Sequence, residues 1–341
     1  MRDSKMRSLP DLIGGVSRGE LSRLVPPLSR SATKGTAGKI AVVGGCAEYT
    51  GAPFYAALSA LKLGADLAHI FCEADAALPI KSYSPEIIVH GYMHANMSVD
   101  EAAVDEQARS ITRWFPTLTA LIVGPGLGRD ETLRAVAAKV LDEALNFGLP
   151  CVIDADGIRL VQERPSLVKD RSWAVLTPNV VEFGRLADAM NVENVQKADE
   201  PDDVHQRNVV SRLSFQLDGP IVLRKGREDL ISSRYLGNWK VGIEDEEGSL
   251  KRSGGQGDVL AGILATFLSW SKSDTLKTEI RTNEPPRQVL SAIAASYITR
   301  RASAHAFFEH RRSMTAPDVI NEIGKCIEEF APTNIVHSEP Q

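Results

Sequence analysis

Cysteine is scarce in this chain: Cys46, Cys72, Cys151 and Cys326 are the only four in 341 residues, and no two form a C-x-x-C pair. Their spacing suits neither a disulfide framework nor a thiolate zinc site, so each reads as a small buried residue in a reducing compartment. An excess of positive charge is missing as well. Thirty-nine Lys and Arg stand against 44 Asp and Glu, a formal charge of -5, which leaves no general electrostatic footprint for nucleic acid. No apolar run approaches the roughly 20 residues that span a bilayer, and the N-terminus lacks the apolar centre of a secretion signal. The expected setting is therefore the cytoplasm, without a membrane partner. Arg2, Lys5, Arg7, Arg18 and Arg23 give the N-terminus a basic character that would suit an organelle transit segment, but Asp3, Asp11 and Glu20 interrupt it.

Two familiar phosphate motifs are also absent. G-x-x-x-x-G-K-[ST] does not occur, and Gly124-Pro-Gly126-Leu-Gly128-Arg129 only imitates G-x-G-x-x-G, because Arg129 stands where the third glycine belongs. His90 and His94 are four apart, but Gly91 and a strand-like context make a metal pair there an unsuitable reading.

What the chain does contain is an alternation of short apolar runs and helical stretches. Strands are predicted at Lys39 to Gly45, Leu67 to Cys72, Glu86 to His90, Thr119 to Gly124, Pro150 to Asp154, Trp173 to Leu176 and Ile221 to Lys225. Helices are predicted at Pro53 to Gly64, at Glu131 to Phe147, and from about Asn179 and Asp202. This is the pattern of an α/β protein with a mostly parallel central sheet covered by helices on both faces. Two further strands, Asp229 to Ser232 and Tyr235 to Ile243, precede helices at Gln256 to Ser271, Arg287 to Phe308 and Thr315 to Phe330. The stretches Asp199 to Asp203 and Glu244 to Glu247 read as solvated acidic loops. With no composition shift and no internal repeat, 1–330 is expected to be one domain with a helical lead over 1–35, and 331–341 a disordered tail.

Ligands of such sheets bind beyond the carboxyl ends of the strands, and a mechanism is visible at Ser253-Gly254-Gly255-Gln256-Gly257-Asp258, which runs directly into an apolar helix. Glycines before a helix let several backbone N–H groups face a ligand, and the helix dipole adds positive potential. An aspartate in that first turn can serve as general base toward a hydroxyl that attacks a γ-phosphate. It can equally be a residue that complements its own helix. Replacing Asp258 with Asn separates the two: as a base its loss abolishes turnover with stability nearly unchanged, whereas as a cap its loss lowers stability.

The ordered set of motifs resembles the ribokinase-like superfamily, and within it the ATP-dependent NAD(P)H-hydrate dehydratases. The resemblance runs from about Leu21 to Gly324 and rests on Val25-Pro-Pro-Leu28, Lys34-Gly35, Gly44-Gly45, Glu48-Tyr-Thr-Gly-Ala-Pro53, Gly64-Ala-Asp-Leu67 and Lys81-Ser-Tyr-Ser-Pro-Glu86. It continues through Gly124 to Arg129, Asp154-Ala-Asp-Gly157, Leu176-Thr-Pro-Asn179, Glu182-Phe183, Lys225-Gly226 with Asp229, and Gly254 to Asp258. Ser253 stands where relatives often carry cysteine, Ile158 where leucine is usual, and Gly184 where serine or alanine is common; none of these removes a reacting group.

The resemblance implies repair of the S form of hydrated NADH or NADPH, with ATP as co-substrate and Mg2+ as cofactor. Asp258 would be the catalytic base and would also contact the hydrate. The ATP site would comprise Lys225, Gly226, Arg227, Glu228, Asp229, Gly248, Ser249, Leu250, Lys251, Arg252, Ser253, Gly254, Gly255, Gln256 and Gly257. The dinucleotide would lie against Gly126, Asn179, Val180, Val181, Glu182, Phe183, Gly184 and Arg185. Asn179 and Glu182 also have the form of a capping box, and both roles can hold at once. Asp154 and Asp156 are candidates to orient metal or water, although Asp156-Gly157 also reads as a turn. No epimerase domain is recognisable at the N-terminus, so a separate epimerase would handle the R hydrate; self-association is left open. Another ribokinase-like kinase, acting on a thiazole, pyridoxal or sugar hydroxyl, and a non-catalytic nucleotide-binding protein are the competing readings.

Overall fold

The computed structural model describes residues 9–95, 100–192, 203–234, 237–242, 245–273, 285–333 and 335–336. In chain order the strands are β1 (Leu12–Ile13), β2 (Val16–Ser17), β3 (Leu28–Ser29), β4 (Lys39–Val43), β5 (Leu67–Glu73), β6 (Ile87–Met93), β7 (Ala120–Val123), β8 (Cys151–Ile153), β9 (Ala174–Leu176), β10 (Ile221–Arg224), β11 (Asp229–Ser233), β12 (Gly237–Val241) and β13 (Ile335–Val336). The helices are α1 (Arg18–Ser22), α2 (Gly51–Leu63), α3 (Ala74–Tyr83), α4 (Glu101–Thr112), α5 (Glu131–Phe147), α6 (Asp156–Glu163), α7 (Val180–Ala189), α8 (Asp203–Leu217), α9 (Gln256–Lys272), α10 (Arg287–His310) and α11 (Ala316–Phe330).

A nine-stranded sheet in the order β12-β11-β10-β9-β8-β7-β4-β5-β6 forms the centre. From β10 to β6 neighbouring strands run parallel, and β11 and β12 add an antiparallel edge. Alternate residues of β4 show why both faces are covered: Ile40 and Val42 enter the core shared with α2, α9, α10 and α11, while Ala41 and Val43 enter the core shared with α5, α7 and α8. α9 is buried along most of its length and packs between α2 and α10. All four cysteines are free and buried, as small apolar residues should be. No described helix is long and apolar enough to cross a membrane.

The chain leaves β4 toward β5 and β6 on one side, and builds β7 through β10 on the other, so the topological switch point lies between β4 and β7. There the turns after the two strands interlock. Gly45 N donates to Pro125 O at 3.0 Å, and Gly124 N to Val43 O at 3.0 Å. Gly126 has φ +62, and a side chain on it would stand 2.5 Å from Tyr49 O, so only glycine closes this crossing.

Several expectations change. Among its described residues the N-terminal lead holds the short helix α1 together with a two-stranded ribbon and β3, because Ile13, Val16, Leu21 and Leu24 are drawn into the core one by one. β13 pairs in parallel with β3 at Ile335 and Leu28, within the expected tail. Tyr235 and Ile243 lie outside the described residues, as do 199–202 and Glu244. The second acidic loop is solvated only in part: Glu247 is exposed, but Glu246 is buried and ion-paired with Arg301 at 2.9 Å, and Asp245 accepts from Gly14 N and Gly242 N. Pairing offsets the desolvation that a carboxylate alone would suffer. His90 meets His69, with Nε2 and Nδ1 3.2 Å apart, and no metal cluster occurs among the described residues.

Candidate active site

The carboxyl ends of β8, β9 and β10 and the start of α9 bring the candidate residues together. Gly255 turns the chain into α9 with φ +90, and a Cβ there would meet Ala316 Cβ at 2.7 Å and the Tyr55 ring at 2.9 Å. This position therefore needs glycine for both conformation and space. The first turn of any α-helix leaves its amides without helical acceptors, so those of Gln256, Gly257 and Asp258 face the site with the positive end of the helix dipole.

Beside that turn stands a lysine among carboxylates. Lys225 Nζ donates to Asp154 Oδ1 at 2.6 Å, and Thr177 Oγ1 donates to the same oxygen at 2.8 Å. A Cβ on Gly257 would lie 3.1 Å from Lys225 Nζ, which puts the ammonium against the helix start. Burial, followed by the Asp154 charge, pushes the Asp258 carboxyl up to about 8, against the pull of Lys225. Burial also raises Glu182. For Lys225, burial favours the neutral amine, but Asp154 and Glu182 outweigh it and the net direction is upward, so the lysine remains a cation.

Asp154 and Asp156 diverge at Ala155, whose φ of +49 is strained for a residue with a side chain. Asp156 does not make a simple turn. It opens α6 and accepts from Gly128 N at 2.9 Å, tying the end of β8 to the Gly124 to Gly128 turn.

Asn179 and Glu182 form a complete capping box at the start of α7: Asn179 Oδ1 accepts from Val181 N and Glu182 N, and Glu182 Oε2 accepts from Asn179 N. Val180, Val181 and Arg185 are exposed along this edge and Gly184 is half-buried. Phe183 differs from expectation. Its ring is buried in the core, with the Arg224 guanidinium 5.6 Å from its centroid, because the fourth residue of α7 faces the sheet.

In the proposed ATP segments, Gly226, Arg227 and Glu228 form the turn between β10 and β11, and Gly248, Ser249, Leu250, Lys251, Arg252, Ser253 and Gly254 lead to α9. Leu250 and Arg252 are exposed. Three side chains are committed elsewhere. Lys251 Nζ donates to Arg312 O at 2.6 Å; Gln256 Nε2 donates to Lys251 O and to Ser253 Oγ, while its Oε1 accepts from Ser303. Asp229 has both oxygens engaged, Oδ1 by Gly226 N and Oδ2 by Ser296 Oγ and Arg300 Nε. These residues shape the loops. Arg300 and Glu73, which accepts from Ala47 N at 2.7 Å, are not singled out by the sequence, and Thr177 enters there only as part of the Leu176-Thr-Pro-Asn179 motif, without a role. Arg300 and Glu73 lie in none of the quoted motifs, so local pattern carries no signal for them.

A mostly parallel nine-stranded sheet with a glycine-led start to a buried helix at its carboxyl edge defines the ribokinase-like fold class. Solved structures agree on the fold. A ribokinase-like superfamily protein of Enterococcus faecalis superposes with a TM-score of 0.67 at 18% identity, over 93% of this chain and 95% of that one. The ADP/ATP-dependent NAD(P)H-hydrate dehydratase of Bacillus subtilis, co-crystallised with ATP/Mg2+, superposes at 0.62 and 18%, over 96% and 100%. The chain belongs to the NAD(P)H-hydrate dehydratase family, whose profile matches residues 40–325. The ATP-dependent (S)-NAD(P)H-hydrate dehydratase of Homo sapiens is 42% identical over 310 residues, 91% of this chain and 83% of that protein. The protein of the same name from Physcomitrium patens is 39% identical over 322 residues, 89% and 93% respectively.

Proposed function

We propose that this chain uses ATP to dehydrate the S form of hydrated NADH or NADPH. The observation that carries the reading is the placement of Asp258 in the first turn of α9, directly after Gly257, where a Cβ would lie 3.1 Å from Lys225 Nζ; burial there pushes its carboxyl up to about 8. In its ionised form this carboxylate takes the proton of the ring hydroxyl as that oxygen bonds to the γ-phosphorus of ATP and the bond to ADP breaks. The hydroxyl has become a phosphate ester, a better leaving group than hydroxide. The ring nitrogen's lone pair expels phosphate, and loss of a proton from the adjacent ring carbon restores the dihydronicotinamide.

The α9 amides and the Lys225 ammonium stabilise charge on the transferring phosphoryl group. The Gly44 to Tyr49 and Gly124 to Gly128 turns at the switch point, with the edge of α7, hold the dinucleotide. Both competing readings lose ground: a kinase for another hydroxyl is not favoured by the family, and a non-catalytic protein would not need a strained, carboxylate-rich centre around an aspartate.

Mg2+ fits as a companion of the nucleotide. It is usually held by one or two carboxylates plus substrate phosphates, and among the described residues no cluster of three or more His, Cys, Asp or Glu could hold a metal alone. Asp154 and Glu182 are the carboxylates that would meet it, and it would neutralise charge on the phosphates. Because the relatives' name specifies the S hydrate, we assign conversion of the R form to a separate epimerase. Purified protein with ATP and Mg2+ should restore the near-ultraviolet dihydronicotinamide absorbance of hydrated NADH, and no recovery would defeat the reading.

A further inference from the structure

We propose that Arg300 is a positioning residue for the nucleotide half of the site, acting through the backbone of two loops that it never leaves free to separate. The assignment rests on the ATP-dependent reading above. Arg300 lies on α10, buried behind the β10–β11 turn. Its donors go to three places. Nε meets Asp229 Oδ2 at 3.1 Å, Nη2 meets Gly226 O at 3.2 Å and Arg227 O at 2.8 Å, and Nη1 meets Glu246 O at 3.5 Å. Asp229 returns the constraint by accepting from Gly226 N at 2.9 Å.

One guanidinium thus holds both the turn that follows Lys225 and the loop that leads into the glycine-rich helix start. Only a planar fork with several fixed donors can do this. A lysine would keep the charge beside Asp229 but could not span two carbonyls on one segment and a third on another. The neighbours extend the brace: Arg301 pairs with Glu246 Oε2 at 2.9 Å and with Glu329, and Ser303 holds Gln256. α10 therefore ties the β10–β11 turn and the segment leading into α9 to the core, while none of these contacts of Arg300 reaches the α7 edge assigned to the dinucleotide.

The test is steady-state kinetics with both substrates, together with calorimetric titration of ATP and Mg2+. Arg300→Lys should raise KM and Kd for ATP on the order of 10- to 100-fold, as misplaced binding groups do, and leave KM for the hydrate unchanged. Asp229→Asn should show the same split, and it decides the matter if Arg300→Lys does not fold. Val319→Ala, a core cavity in α11, provides the comparison: it should lower the melting temperature without changing KM for ATP. Unchanged ATP affinity in the folded variants, or equal losses for both substrates, would overturn the assignment while leaving the proposed function intact. Failure of the wild-type protein itself to bind ATP and turn over hydrate is a separate result, and it would remove both.

Discussion

Asp258 carries the largest consequence at the scale of a single residue. In the fold its carboxyl keeps a proton up to about pH 8, whereas in the unfolded chain it loses that proton near about pH 4. Between those values the fold binds the extra proton, so this group's contribution to stability falls as pH rises. Asp258→Asn should therefore reduce turnover roughly 10²- to 10⁴-fold and raise stability at neutral pH by on the order of 1–3 kcal/mol, seen as a higher melting temperature. That direction departs from the neutral effect expected of a solvated base, and burial among Asp154 and Glu182 is the reason. The same ionisation should make kcat/KM climb with pH through an apparent pKa near 8. Lys225→Met removes the charge that holds Asp258 down, so the climb should move to higher pH, and a pH profile unmoved by that change would contradict the arrangement.

At the scale of elements, the start of α9 matters most, since the proposed anion hole requires the chain to turn sharply at Gly255. Gly255→Ala adds a side chain at φ +90 into Ala316 and Tyr55. It should cost on the order of 2–4 kcal/mol, read from the denaturant midpoint, and weaken ATP binding as well. Asn179→Ala offers a calibrating contrast: it removes the α7 cap for about 1 kcal/mol and leaves α9 undisturbed. Three helices were not anticipated from local pattern. α3 contains Pro79, a residue that argues against helix, yet Ala76, Ala77 and Ile80 bury against the sheet and tertiary packing wins. α6 begins at an Asp-Gly pair that looks like a turn, and α4 is a mainly polar helix whose Val104, Ala108 and Ile111 make a narrow buried stripe.

For the whole molecule, the proposed nucleotide site draws on β8, β9, β10, α9 and α10, which are distant in sequence. Filling the site should therefore stabilise the entire fold. At a hundred times its Kd, ATP with Mg2+ should add about 2.7 kcal/mol, measurable as a rise in melting temperature. Asp258→Asn should keep that rise, because its amide and its neighbours still bind phosphate, and loss of the rise would mean that the carboxyl is needed for binding as well as for turnover.

Sequence alone determined the alternation of strands and helices, because apolar periodicity follows directly from which residues a covered parallel sheet must bury. It also determined where the glycine-led helix start falls, since Gly254, Gly255 and Gly257 stand directly at an apolar run, and the resemblance to the family. Tertiary structure decided the rest. Phe183 went to the core, Asp229 and Gln256 became braces, Glu246 was buried against Arg301, and Arg300 gathered two loops that are separated in the chain. Whether a polar side chain meets a ligand or a neighbour depends on desolvation and on donors supplied from remote segments, and neither is written in the residues around it.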